Sequence, residues 1–154
     1  MNAPVPVRLS AADIQNLSSH YLNEGRKQES WQIEAVEIND KGLTAKVSMR
    51  TTYVSDTDAK GFHLAIFTAV EFVSQLMVIY MHVRAGLSKK TREVWMLESS
   101  TRCVRAIRDP SNIKVEMEVV SMRKRGENWY GVAANRVTDD QGGLFEIKLK
   151  GFLS

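Results

Sequence analysis

Cysteine is almost absent. Cys103 stands alone, so no internal disulfide can form, and a reducing, cytoplasmic setting is the expectation. Histidine is scarce as well: His20, His63 and His82 show no paired ligand spacing with Cys103, so no metal and no metal cofactor is expected. Charge of one sign is missing too, with 21 Lys+Arg against 18 Asp+Glu. Together with the lack of zinc-finger spacing, a basic heptad or an aromatic-and-glycine RNA-binding motif, that near balance speaks against nucleic acid as a partner. The opening MNAPVPVRLS has no long apolar run, so no secretory leader is expected.

What is present is ordinary globular material. A composition of 44% apolar and 25% charged residues excludes disorder, collagen-like repeats and a disulfide scaffold. At roughly 100–200 residues per domain, residues 1–154 are expected to form one domain. Residues 1–28 read as an N-terminal extension with a short helix. Ser10 lies three residues before Asp13 in a variant capping box, and Ile14, Leu17, Tyr21 and Leu22 follow at helical spacing up to Gly25.

Alternation then predicts a strand from Trp31 to Asn39, with Trp31, Ile33, Ala35, Val36 and Ile38 inward. A turn at Asp40–Gly42 and a returning strand from Leu43 to Arg50 follow. Ser55–Gly61 reads as a loop. From Phe62 to Ala85 the chain is apolar almost all round and poor in Gly and Pro, which predicts one long buried helix ended by Gly86. Four more strands are predicted at Glu93–Ile107, Ile113–Lys124, Trp129–Thr138 and Leu144–Leu153. Their separators are rich in turn residues, and a consecutive antiparallel meander is the economical arrangement. The fold class is therefore α+β, one strongly curved sheet wrapping one helix.

The stretch Leu64–Val83 is long enough to span a bilayer. However, Glu71 would sit near the bilayer centre at about 2.5–3.5 kcal/mol, and the flanks read as half-buried strands, so no membrane span is expected.

Within that helix Thr68, Glu71, Gln75 and His82 fall within about 60° of one direction, with Ser74 at the edge. Ile66, Ala69, Val73, Leu76 and Tyr80 take the opposite side. A carboxylate on a greasy helix is suited to general acid or base work, and a structural Glu71–Gln75 pair is the plainer alternative. His63, near the helix start, is either a cap or a catalytic group. The first N–H groups of the helix carry its positive dipole end and could polarise a thioester carbonyl. Three basic clusters also stand out: Lys89, Lys90 and Arg92; Arg102, Arg105 and Arg108; Arg123, Lys124 and Arg125. They read as solvated turns, or as a docking surface for a phosphate-bearing small molecule or an acidic carrier protein.

A curved sheet around a long helix, in the order β-β-α followed by strands, resembles the hotdog fold of acyl thioesterases and hydroxyacyl dehydratases. Ala69-Val70-Glu71-Phe72-Val73-Ser74-Gln75-Leu76 is similar to the central-helix motif of the FcoT-type long-chain acyl-CoA thioesterases. It also shares an acid-xxx-Gln spacing with fatty-acid dehydratases, whose catalytic His lies earlier, about where Asp56 and Thr57 stand here. The FcoT-type enzymes use Asn and Tyr side chains. In this chain Tyr53 matches the Tyr, and Ser74 or Gln75 stands in the place of the Asn.

The resemblance implies hydrolysis of a fatty acyl thioester of coenzyme A or of a carrier protein's phosphopantetheine. No cofactor beyond that substrate moiety is implied. Glu71, Gln75 and His63 are the catalytic candidates. Tyr53, Phe62, Phe67, Thr68 and Ser74 are candidates for binding, and Phe72 and Met77 would join Phe62 and Phe67 along an acyl tunnel. Dehydration or isomerisation of a 3-hydroxyacyl thioester is the second reading, and a non-catalytic acyl-binding protein the third. The resemblance further implies a homodimer or a dimer of dimers with the site at the subunit interface. Such pairing would cover an otherwise open sheet edge.

Overall fold

A computed structural model describes residues 29–154, together with Ala11, Ala12 and Asn16; the short helix expected between Ser10 and Gly25 lies largely outside these residues. Six antiparallel strands form a single curved sheet: β1 (Ser30–Asn39), β2 (Gly42–Thr51), β3 (Val94–Arg105), β4 (Ile113–Arg125), β5 (Asn128–Thr138) and β6 (Leu144–Leu153). One long helix, α1 (Ile66–Arg84), joins β2 to β3 and lies against the inner face of the sheet. The expected strands are present, with ends displaced by two residues or fewer.

The order across the sheet is β1-β2-β4-β5-β6-β3. Only β4, β5 and β6 form the expected meander. β3 is carried past them to the far edge, where it pairs with β6, and β4 pairs with β2. The cause is visible in the burial patterns. β4 alternates strictly over Ile113–Glu118, inward apolar and outward charged, as an interior strand with one solvated face must. β3 is exposed along nearly its whole length and has no buried row to offer an interior position. α1 crosses the inner face first, so the chain emerges on the far side and returns along the open edge.

The core is the contact between α1 and the inner rows of the strands. Phe72, Val73, Leu76, Tyr80 and Met81 of the helix meet Leu43 and Val47 of β2, Ile113 and Val115 of β4, Val137 of β5, and Ile147 and Leu149 of β6, all essentially excluded from solvent. Burying each such aliphatic or aromatic side chain stabilises the fold by about 1.5–3 kcal/mol. By length and composition α1 is apolar enough to cross a membrane. Its core-facing side is instead taken up by the sheet, including the Ala69, Val73, Leu76 and Tyr80 expected there.

Two local departures have clear causes. In β1 the register shifts between Ile33 and Ala35, so the alternation breaks and Ala35 and Val36, expected inward, are exposed. At the β1–β2 turn Asn39 accepts the N–H groups of Lys41 and Gly42 through its side chain. Gly42 then passes so close to β4 that a Cβ there would lie 1.8 Å from the Met117 carbonyl oxygen, a gap only glycine tolerates.

Candidate active site

α1 begins at Ile66, four residues later than its apolar run does. Ala65 occupies the cap position and offers no side-chain cap, and no acidic residue lies in the first turn. The preceding Leu64 is tied elsewhere, its N–H donating to the Ile107 carbonyl at 2.9 Å. The late start has a chemical consequence. Glu71 is only five residues beyond Ile66, about 7.5 Å of helical rise from the first-turn N–H groups, which have no acceptor within the helix itself.

The polar stripe splits in two. Thr68 is buried, and its hydroxyl donates to Glu29 at 2.6 Å. His82 is buried at the other end, with Nδ1 at 2.8 Å from the Val78 carbonyl and Nε2 without a hydrogen-bond partner among the described residues. Glu71 and Gln75, one turn apart, are exposed. Helical periodicity places residues on a face; the side of that face reached by the sheet separates buried from exposed.

Glu71 opens onto a groove of about 480 Å³ between α1 and the β3 edge, lined by Ile66, Phe67, Val70, Glu71, Ser74, Ser99 and Thr101. The indole Nε1–H of Trp31, at the start of β1, donates to one Glu71 carboxylate oxygen at 2.8 Å. Trp31 is itself held edge-on against Phe72, with centroids 6.2 Å apart and planes at 73°. The start of β1 thus clamps the first two turns of α1 twice, through Glu29 on Thr68 and Trp31 on Glu71. Ser74 lines the groove but donates its hydroxyl to the Val70 carbonyl at 2.6 Å. A smaller cavity follows along the helix, lined by Ser74, Met77, Val78, Val94, Met96, Leu149 and Gly151.

Of the remaining candidate residues, Phe67 lines this groove and the others lie apart from it. Phe62 and Phe72 belong to the buried core, whereas Phe67 is 52% exposed and Met77 lines the smaller cavity. Tyr53 is half-buried in the segment after β2. His63 is engaged before the helix begins, with Nδ1 at 2.6 Å from Asp58. The Asp58 carboxylate also takes Arg108 Nη1 at 3.0 Å and the Lys60 N–H at 3.0 Å. Hydrogen bonding from Arg108, then from the Lys60 amide and His63, holds the Asp58 pKa down at about 2. This cluster straps the loop before α1 to the segment joining β3 and β4, and His63 is not among the groove-lining residues.

Trp31 and Glu29 were not legible as site residues. In the sequence Trp31 is simply the first inward residue of a strand, and nothing in its spacing points to a helix residue 40 positions away.

No protein-family model and no curated protein matches the chain. Among solved structures it is similar to a hypothetical thioesterase from Streptococcus pneumoniae with coenzyme A, at 18% identity over 81% of this chain and 86% of that one, TM-score 0.51. It is also similar to a mutant thioesterase from Pseudomonas aeruginosa, at 17% identity over 80% of each chain, TM-score 0.55. A third likeness is to a dehydratase heterocomplex from Xenorhabdus doucetiae, at 16% identity over 79% of this chain and 82% of that one, TM-score 0.57. At such identities the likeness carries the architecture and leaves the chemistry to the residues. A six-stranded antiparallel sheet curved around one central helix, shared in outline with these proteins, makes this chain a hotdog-fold protein.

Proposed function

We propose that the chain is an acyl thioesterase, with Glu71 as the base that activates water against a thioester carbonyl. The observation that carries the reading is the position of Glu71: exposed in a largely apolar groove, held by the Trp31 N–H, and little more than one turn from the start of α1, where Ala65 occupies the cap position. In the proposed reaction Glu71 takes a proton from water as its oxygen attacks the carbonyl carbon. The oxyanion of the tetrahedral intermediate sits near the first-turn N–H groups. It collapses with cleavage of the C–S bond, and the departing sulfur receives the proton. Gln75 is assigned to positioning Glu71 or the carbonyl, and Phe67 and Ser74 to the acyl chain. The thiol half of the substrate is coenzyme A or phosphopantetheine, consistent with the neighbour that carries coenzyme A. A cytoplasmic setting suits such a substrate and the exposed free thiol of Cys103.

A second copy of the chain is assigned to the β3 edge. That strand is long, exposed and, among the described residues, unpaired on its outer side, which a protein ordinarily covers or blunts. Ser99 and Thr101, midway along it, form one wall of the groove, so pairing there would close the site. Sedimentation analysis should therefore return a dimer or a multiple of one.

The deciding experiment offers the purified chain acyl-CoA substrates of graded chain length and follows free thiol. Thiol release by the native chain, lost in a folded Glu71→Gln, supports the proposal. Consumption of a 3-hydroxyacyl thioester without thiol release would replace it with dehydration, and binding without turnover would leave a carrier.

A further inference from the structure

The outer face of the sheet carries an aromatic row that the groove chemistry does not use. Arg123 of β4 pairs with Tyr130 of β5, Tyr130 with Phe152 of β6, and Phe152 with Trp95 of β3. Tyr130 and Phe152 stack with centroids 5.3 Å apart and planes at 21°, and Trp95 beside them is 55% exposed. The Arg125 guanidinium stands 6.0 Å from the Tyr130 ring. The row ends at the β4–β5 hairpin, which presents Arg123, Lys124 and Arg125 to solvent.

Tertiary structure adds a second basic cluster at the same end. The Arg92 guanidinium donates to the carbonyls of Glu127, Leu153 and Ser154, which pins the Lys89–Arg92 segment against the hairpin. Five cations, Lys89, Lys90, Arg92, Arg123 and Arg125, thus gather at this end of the aromatic row, against two carboxylates in the same two segments, Glu93 and Glu127, whereas Lys124 lies on the opposite face with its ammonium 5.9 Å from the Trp129 ring. Glu93 is already paired with Lys90. The third cluster is spent otherwise: Arg102 lies near Glu146, Arg105 bonds the Gly142 carbonyl and Arg108 bonds Asp58.

We infer that this end of the outer face is a docking surface for an anionic phospholipid bilayer. The row lies on an outward sheet face and belongs to neither cavity of the site, so its shape suits a flat partner rather than an enclosed small molecule. Trp and Tyr rings favour the depth of lipid headgroups, where an apolar body and a polar edge are both satisfied. Arg and Lys around them meet lipid phosphates. A second copy of the chain on this face would oppose the same five cations to themselves, so charge complementarity selects an anionic partner. Pairing of the β3 edge through its backbone leaves the outward side chains free. The inference stands independently of the thioesterase reading.

The test is sedimentation of the full chain with vesicles of phosphatidylcholine alone or with about 30% phosphatidylglycerol. Binding is expected to the anionic vesicles only, and to fall steeply as salt is raised from about 0.1 to 0.5 M. The paired substitution Arg123→Ser and Arg125→Ser should weaken it roughly thirtyfold, about fivefold for each cation. Trp95→Ser, at an exposed site that leaves folding intact, should weaken it about tenfold. Absence of binding to anionic vesicles, or equal binding by these folded variants, overturns the inference. So does an assembly larger than a dimer that Trp95→Ser disperses, or a preference for a soluble acidic protein over the vesicles.

Discussion

Replacing Trp31 by Phe isolates the contact on which the proposed site turns. The ring keeps its place against Phe72, while the donor to Glu71 is removed. A hydrogen bond from a neutral donor to a carboxylate is worth about 1.5–3 kcal/mol. Glu71 is exposed and Trp31 half-buried, so the lower end applies. If that bond fixes the carboxylate where it must meet water, losing about 1.5 kcal/mol lowers kcat roughly tenfold, with KM nearly unchanged. The loss of stability should stay at about 1.5–2 kcal/mol, chiefly the lost bond, since the new side chain fills most of the old volume. Any disturbance of packing would lower activity by the same route, so a double-mutant cycle with Glu71→Gln is needed. Once the base is gone, its orientation no longer matters, and Trp31→Phe should cost less than about threefold in that background. Steady-state thiol release from an acyl-CoA by all four proteins gives the result. Equal losses in both backgrounds, or none in either, would refute the assignment and leave Trp31 a packing residue.

Glu71→Gln alone should lower kcat by about a hundredfold or more while urea unfolding shifts by under about 1 kcal/mol, because the amide oxygen can still accept the Trp31 N–H. Gly42→Ala should cost about 3 kcal/mol in urea unfolding, since the added methyl overlaps the Met117 carbonyl; a cost below about 1 kcal/mol would show that β2 and β4 separate easily. Asp139 accepts the N–H groups of Arg108, Asp109, Gln141 and Gly143, so Asp139→Ala should lower stability by about 2 kcal/mol and the melting temperature by roughly 6 °C. Asp58 has a folded pKa of about 2 against 3.8 for the free group. Its contribution is therefore complete above about pH 4 and is lost as pH falls towards 2. Unfolding of Asp58→Asn should lack that part of the acid dependence, and an unchanged acid limb would count against the Arg108 strap.

The basis for what could be read in advance is periodicity and punctuation. The Asp40–Gly42 turn, the long apolar helix and the strand at Leu144–Leu153 follow from local rules, because the turn residues and the switch from two-residue to helical spacing lie within each segment. The helix start does not. Its apolar run begins at Phe62, but Leu64 hydrogen-bonds to Ile107 across the molecule, and this long-range bond delays the helix to Ile66. The placing of β3 is equally non-local: consecutive strands pair most economically, yet a helix already lying across the sheet forces β3 to the far edge.

The sequence by itself determined the class of fold and put Glu71 on a polar stripe, since both depend on spacing along one segment. The tertiary structure alone decided that Glu71 stays open while Thr68 and His82 are sealed, that Trp31 reaches across from β1 to hold it, and that two distant basic clusters meet beside an aromatic row. The physical reason is that burial, hydrogen bonding across the sheet and summed surface charge depend on which segments pack together, and spacing along the chain does not specify that packing.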